Sequence, residues 1–149
     1  NVVRVQGVDA VSIQVAQIKI RAKQAQTQTP SRLVDARFGN EVALDGYDLQ
    51  GDTLTLYWRS LGEPRQNYTV FVHGLDASGT IIAQQDAPFA FAAYLWDEGE
   101  QIIERRDVPG LANAVSVQVG VYDAATQQRL IPKRANGEVW ADDAVRLGR

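Results

Sequence analysis

His73 is the only histidine of the chain, and there is no cysteine. Those two facts remove most metal and nucleophile chemistry at once. A metalloenzyme site built on several imidazoles cannot be assembled from one, and disulfides, thiolate nucleophiles and cysteine-held zinc are excluded. A serine triad would need His73 beside a serine and a carboxylate, yet none of the five serines stands in a Gly-x-Ser-x-Gly elbow. Asp76, Asp123, Asp142 and Asp143 are calcium donors by type, but no Asp-x-Asp-x-Asp-Gly loop orders them. The sequence therefore implies no metal and no cofactor. His73 is expected to hydrogen-bond within or at the rim of a sheet.

What remains is a set of carboxylates around a dense aromatic run. Asp86, Asp97, Glu98 and Glu100 bracket Phe89, Phe91, Tyr94 and Trp96. Paired carboxylates hydrolyse glycosidic bonds when their separation in space suits the mechanism, and spacing in sequence does not fix that separation. No catalytic residue is assigned on this basis. Flat apolar rings beside hydrogen-bonding groups suit sugars, whose C–H faces stack and whose hydroxyls need partners. The alternative is that the same rings cap the open end of a hydrophobic core. The ligand-binding set expected from the sequence is Tyr94, Trp96, Glu100, His73 and Asp86.

These side chains must be positioned by strands. In Asn67 to Asp76, the β-branched and aromatic residues Thr69, Val70, Phe71 and Val72 favour a pleated surface. Alternation puts Thr69, Phe71, His73 and Leu75 on one face and Tyr68, Val70, Val72 and Gly74 on the other. Both faces are largely apolar, so the stretch is predicted to be an interior strand. Asp76-Ala77-Ser78-Gly79 supplies a turn and Thr80 to Gln84 a returning strand, which makes an antiparallel hairpin. Asp52 to Arg59 reads as a half-buried strand with Leu54, Leu56 and Trp58 inward. Glu41 to Leu49 is a strand in which Gly46 marks a bulge or a close backbone approach. Further strands are predicted at Glu100 to Val108, Asn113 to Asp123 and Glu138 to Leu147, with a brief pairing at Arg129 to Ile131. Ala87 to Gly99 is predicted to be a long loop folded over one edge of the core.

Val11 to Lys23 alternates with one change of phase, as in a strand with a bulge. Gln24 to Pro30 is polar, uncharged and ends in proline, which reads as a linker. Residues 1–30 are thus an N-terminal strand and linker, and residues 31–149 a β-sandwich domain. With 149 residues the chain suffices for one domain with a sizeable core. The formal charge of −3 shows no basic excess, which argues against nucleic acid as a partner. No methionine is present, even at position 1, so the chain is expected to be a segment of a longer protein. Eight or nine strands spaced about ten residues apart, without a helix signal, predict an all-β, antiparallel two-layer β-sandwich, jelly-roll-like.

One ordered series of short motifs goes further. It comprises Phe38-Gly39, Gly46-Tyr47-Asp48-Leu49, Leu54 to Trp58, Tyr68 to His73, Leu75-Asp76, Ala83 to Asp86, Trp96, Gly99-Glu100, Val119 to Asp123 and Arg129-Leu130. Together these resemble the C-terminal extracytoplasmic β-sandwich of bacterial polyprenyl-phosphate-dependent, mannosyltransferase-like membrane glycosyltransferases. The loop before Trp96 departs from that pattern, being Phe89 to Leu95 (FAFAAYL), as does Gly74 after His73. The resemblance implies a shape similar to carbohydrate-binding modules. It also implies a non-catalytic accessory domain of a membrane glycosyltransferase, outside the cytoplasm and tethered to the cytoplasmic membrane through the parent chain. Its partners would be a carbohydrate or acceptor and the membrane-embedded transferase part. Two alternatives remain open: a structural or protein-interaction sandwich with no sugar affinity, and a glycoside hydrolase.

Overall fold

The computed structural model describes residues 27–62, 67–89 and 96–149. The alternating stretch at residues 11–23, the polar stretch up to residue 26 and Tyr94 lie outside the described residues. Nine strands are found among those described: β1 (Arg32–Phe38), β2 (Val42–Gln50), β3 (Thr53–Ser60), β4 (Tyr68–Leu75), β5 (Ile81–Pro88), β6 (Gln101–Asp107), β7 (Ser116–Asp123), β8 (Pro132–Lys133) and β9 (Val145–Leu147). They form a five-stranded sheet in the order β6-β3-β2-β1-β8 and a four-stranded sheet in the order β5-β4-β7-β9. Every neighbouring pair is antiparallel, and the two sheets pack face to face as a β-sandwich. No helix of the described residues is long and apolar enough to cross a membrane.

The alternation in the sequence sets which side chains face inward. Leu54, Leu56 and Trp58 of β3 meet Val70 and Val72 of β4 and Val117, Val119 and Val121 of β7 in one buried cluster. Burying each such side chain contributes roughly 1.5–3 kcal/mol. β4 lies between β5 and β7, the interior position that its two apolar faces require. The β4–β5 turn is closed by Asp76, whose Oδ1 accepts from the Ser78 and Thr80 amides, each at 2.9 Å, while Gly79 takes φ 86°. Gly46 does both things expected of it: the β2–β3 register shifts between Leu44 and Gly46, and Pro30 and the Arg32 carbonyl crowd its α-carbon.

Three elements differ from expectation. β1 had no counterpart in the sequence pattern, because a register shift between Leu33 and Ala36 breaks its alternation. The strand expected from Asn113 starts at Ser116, since Gly110 at φ 91° leads into a short 3-10 turn over Leu111–Asn113. The closing strand shrinks from Glu138–Leu147 to β9, because Asp142 and Asp143 take φ 62° and 51°, which is incompatible with extended backbone.

One edge of the sandwich is joined by charge as well as by apolar contact. β6 turns Ile102, Glu104 and Arg106 inward. The Arg106 guanidinium donates from Nε to Glu104 Oε1 at 3.0 Å, and reaches across to the Ala87 and Pro88 carbonyls of β5 at 3.2 and 3.0 Å. It also reaches the Val70 carbonyl and Gln85 Oε1 at 3.5 and 3.4 Å. Trp58 Nε1 donates to the same Glu104 oxygen at 3.2 Å. A buried ion pair is tolerated when its remaining donors are met in this way.

Candidate functional site

Of the five residues singled out from the sequence, the four that are described do not converge. Trp96 is 2 % exposed, with its ring 4.8 Å from Phe89, which in turn meets Trp58 edge-on at 5.1 Å. Core capping, the alternative weighed for these rings, describes Phe89 and Trp96. Glu100 is also buried, and its Oε1 accepts from the Asp97 amide at 2.9 Å while the flanking backbone bonds to Ser60 at the end of β3. Neither residue offers a surface to a ligand. Tyr94 lies outside the described residues.

His73 and Asp86 do come together, on the outer face of the four-stranded sheet. β4 presents Thr69, Phe71, His73 and Leu75 there. Across β5 the register sets Asp86 opposite Phe71 and Gln84 opposite His73. Across β7 it sets Tyr122 opposite Thr69, Gly120 opposite Phe71 and Gln118 opposite His73, with Arg146 of β9 beyond Gln118.

Phe71 organises this face. Its ring lies directly over Gly120, where a β-carbon would come within 2.1 Å of Cζ, so only glycine leaves room for it. The His73 ring stands 4.8 Å from it and the Tyr122 ring lies roughly parallel at 6.4 Å. The Arg129 guanidinium covers its outer side at 4.3 Å from the centroid, a cation–π arrangement. Phe71 is therefore 1 % exposed although it sits outside the core between the sheets, while His73 and Tyr122 remain partly exposed at its flanks.

Polar groups border the rings. The Tyr122 hydroxyl donates to Asp86 Oδ2 at 3.1 Å. Burial, then that bond and the Asp86 charge, raise the Tyr122 pKa, so the hydroxyl stays protonated. Burial chiefly lowers the His73 pKa; Asp86 opposes this and Arg129 reinforces it. The imidazole is thus neutral near pH 7 and offers one donor and one acceptor. Partly exposed rings flanked by a carboxylate, amides and guanidinium groups can stack on and hydrogen-bond to a polar ring-shaped ligand.

Tyr122, Phe71 and Arg129 were not singled out as site residues. The signal for the first two was present in the alternation, which puts Phe71 on the His73 face; the placement of Arg129 follows only from the fold of the loop after β7. Asp76 and Asp123, considered as calcium donors, use their carboxylates on turn amides, and no group of metal-binding side chains assembles among the described residues. No protein-family model, no curated protein and no solved structure matches the chain.

Proposed function

We propose that this chain is a non-catalytic accessory β-sandwich that recognises glycan on the outer face of its four-stranded sheet. The observation that carries this reading is the pairing of partly exposed His73 and Tyr122 rings about the Phe71–Arg129 stack, bordered by Asp86, Gln84, Gln118 and Arg146. Such an arrangement suits the alternating apolar and hydroxyl surfaces of a sugar. The ordered motifs from Phe38 to Leu130 add the wider setting: an extracytoplasmic module tethered through a parent membrane glycosyltransferase, presenting glycan or acceptor to it. A structural or protein-interaction role without sugar affinity is the second reading. It is favoured by the capping of Phe71 by Arg129, which withdraws the most apolar ring of the face from contact.

Glycan-array screening followed by calorimetry with soluble neutral oligosaccharides tests the proposal. Tyr122→Ala and His73→Ala are each expected to weaken binding roughly tenfold, equivalent to about 1.4 kcal/mol. Trp96→Ala serves as the contrast: it should lower stability by about 3–5 kcal/mol through cavity formation and leave the affinity of the remaining folded protein unchanged. Absence of binding to any glycan, or equal affinity in all three variants, would leave the structural reading in place.

A further inference from the structure

A second feature lies where the β1–β2 turn meets the segment running from the end of β7 through β8. A cleft of about 590 Å³ opens there. Arg37, Arg129, Lys133 and Arg134 line it, and Asp123 is the one carboxylate among the lining residues described, in a chain whose formal charge is −3. The cleft concentrates positive charge on a protein that is acidic as a whole.

The acids nearby are already engaged. Asp123 Oδ1 accepts from the Ala125 amide at 2.8 Å, Asp35 Oδ1 accepts from the Ala135 amide at 3.0 Å, and Glu41 accepts from the Tyr68 hydroxyl. The cations lack such partners among the described residues: Arg129 and Arg134 lie over aromatic rings, not beside acids. Among the described residues no carboxylate forms an ion pair with Arg37, Lys133 or Arg134. Arg37 and Lys133 stand directly opposite each other across the β1–β8 pair. Like charges in that position repel and destabilise a strand pair, and here the pair is only two residues long.

The walls are held in place. Trp140 Nε1 donates to the Asp35 carbonyl at 3.0 Å, the Arg134 guanidinium lies 4.0 Å over the Trp140 ring, and the Gly137 amide donates to the Arg134 carbonyl at 2.9 Å. Gly39 and Gly137 line the cleft with positive φ and open space where a β-carbon would stand, which lets a ligand approach the backbone.

From these opposed cations, without a carboxylate partner among the described residues, and the fixed cleft around them we infer that this end of the sandwich is an oxyanion-binding site, taking a carboxylate or phosphoryl group between Arg37 and Lys133 with Arg134 and Arg129 flanking. A guanidinium fork matches either group, and an anion shared between Arg37 and Lys133 turns their repulsion into attraction. The inference does not depend on glycan binding at the open sheet face.

NMR titration of the ¹⁵N-labelled chain at low salt tests it, with inorganic phosphate, glucuronate and, as the uncharged control, glucose. Saturable shifts at the amides of Gly39, Asn40, Ala135 and Gly137 are expected with the anions and not with glucose. Arg37→Gln and Lys133→Gln are each expected to weaken binding about tenfold, and added salt should weaken it in the parent chain. Both positions are exposed, and each change relieves repulsion, so the fold is expected to hold; the parent-chain salt titration stands as a readout that needs no variant. Response to only one anion identifies the source, acidic sugar or phosphate, and supports the site. No saturable shift with either anion, or undiminished binding in the double variant, overturns it.

Discussion

Each sheet carries a tyrosine–aspartate pair on its outer face, and the two pairs have opposite surroundings. On the five-stranded sheet Tyr57 donates to Asp48, the same carboxylate accepts from the Ser31 amide at 2.6 Å, and Tyr57 is 5 % exposed. The chain itself covers this face: Pro30 seats against Gly46, and Gln28 exchanges two hydrogen bonds with Gln101 at 2.9 and 2.8 Å. On the four-stranded sheet Tyr122 donates to Asp86 and, among the described residues, Arg129 folds over the neighbouring Phe71. Similar chemistry is buried where a backbone segment completes it and, among the described residues, stays partly exposed where none does.

The largest expected effect falls on both faces together. Arg106→Met would break the buried ion pair with Glu104 and remove the tie between β6 and β5, costing about 3–5 kcal/mol; chemical denaturation should show a matching loss. A nearly neutral result would mean that the sheets are held by apolar packing alone, and the comparison of their outer faces would lose its common frame.

The glycines then separate the faces. Gly46→Ala would bring a β-carbon to 2.5 Å from the Arg32 carbonyl, a backbone atom, and 2.2 Å from Pro30 Cγ. Overpacking there should cost about 2–3 kcal/mol and lift residues 27–31 off the sheet, read as faster amide exchange at Ser31. The three atoms nearest a β-carbon at Gly120 all belong to the Phe71 ring, a side chain that can tilt outward with Arg129 when alanine is introduced. A cost of about 1–2 kcal/mol is expected, with shifted His73 resonances and reduced glycan affinity. If the order of the two costs were reversed, the open face would be the better packed one.

Hydroxyl removal is milder. Tyr57→Phe loses a hydrogen bond to a charged acceptor in a nearly dry setting and should cost about 1.5–3 kcal/mol. Tyr122→Phe, where water can replace the bond, should change thermal stability little, by about 0.5 kcal/mol, while weakening any glycan complex. Equal costs would erase the distinction between covered and open.

Acid provides the smallest and most selective probe. The folded-state pKa of His73 is depressed by burial, so between it and the unfolded value of about 6.5 the unfolded chain binds more protons and stability falls as pH drops through that window. Asp48 is depressed by its bonds to Ser31 and Tyr57, so its contribution is present above about 3.9 and is lost only as pH falls below that. Stability measured against pH should thus decline in two stages, the open face first, and His73→Gln should remove the first stage alone.

Much of the frame was legible because it depends on local pattern. The two faces of β4, the Asp76 turn, the inward side of β3 and the double role of Gly46 all follow from residue type and alternation. The candidate site was legible only in halves. His73 and Asp86 share the outer face of the four-stranded sheet, whereas Trp96 and Glu100, grouped with them, are buried, because aromatic rings and carboxylates look alike in sequence whether they line a surface or fill a core. Gln101 to Asp107 shows the same limit: Ile102 and Ile103 are adjacent, so the alternation does not say which phase faces inward.

From the sequence alone come the all-β class, the interior strand, and the absence of cysteine and multi-histidine chemistry, since these depend on composition and on contacts between near neighbours. Tertiary structure decided that Glu104 and Arg106 point inward, because the free carbonyls at the end of β5 lie within reach of that guanidinium. It also decided that residues 28–31, distant in sequence, cover the five-stranded sheet, and register across strands, not spacing along the chain, brings His73, Asp86 and Tyr122 onto one surface.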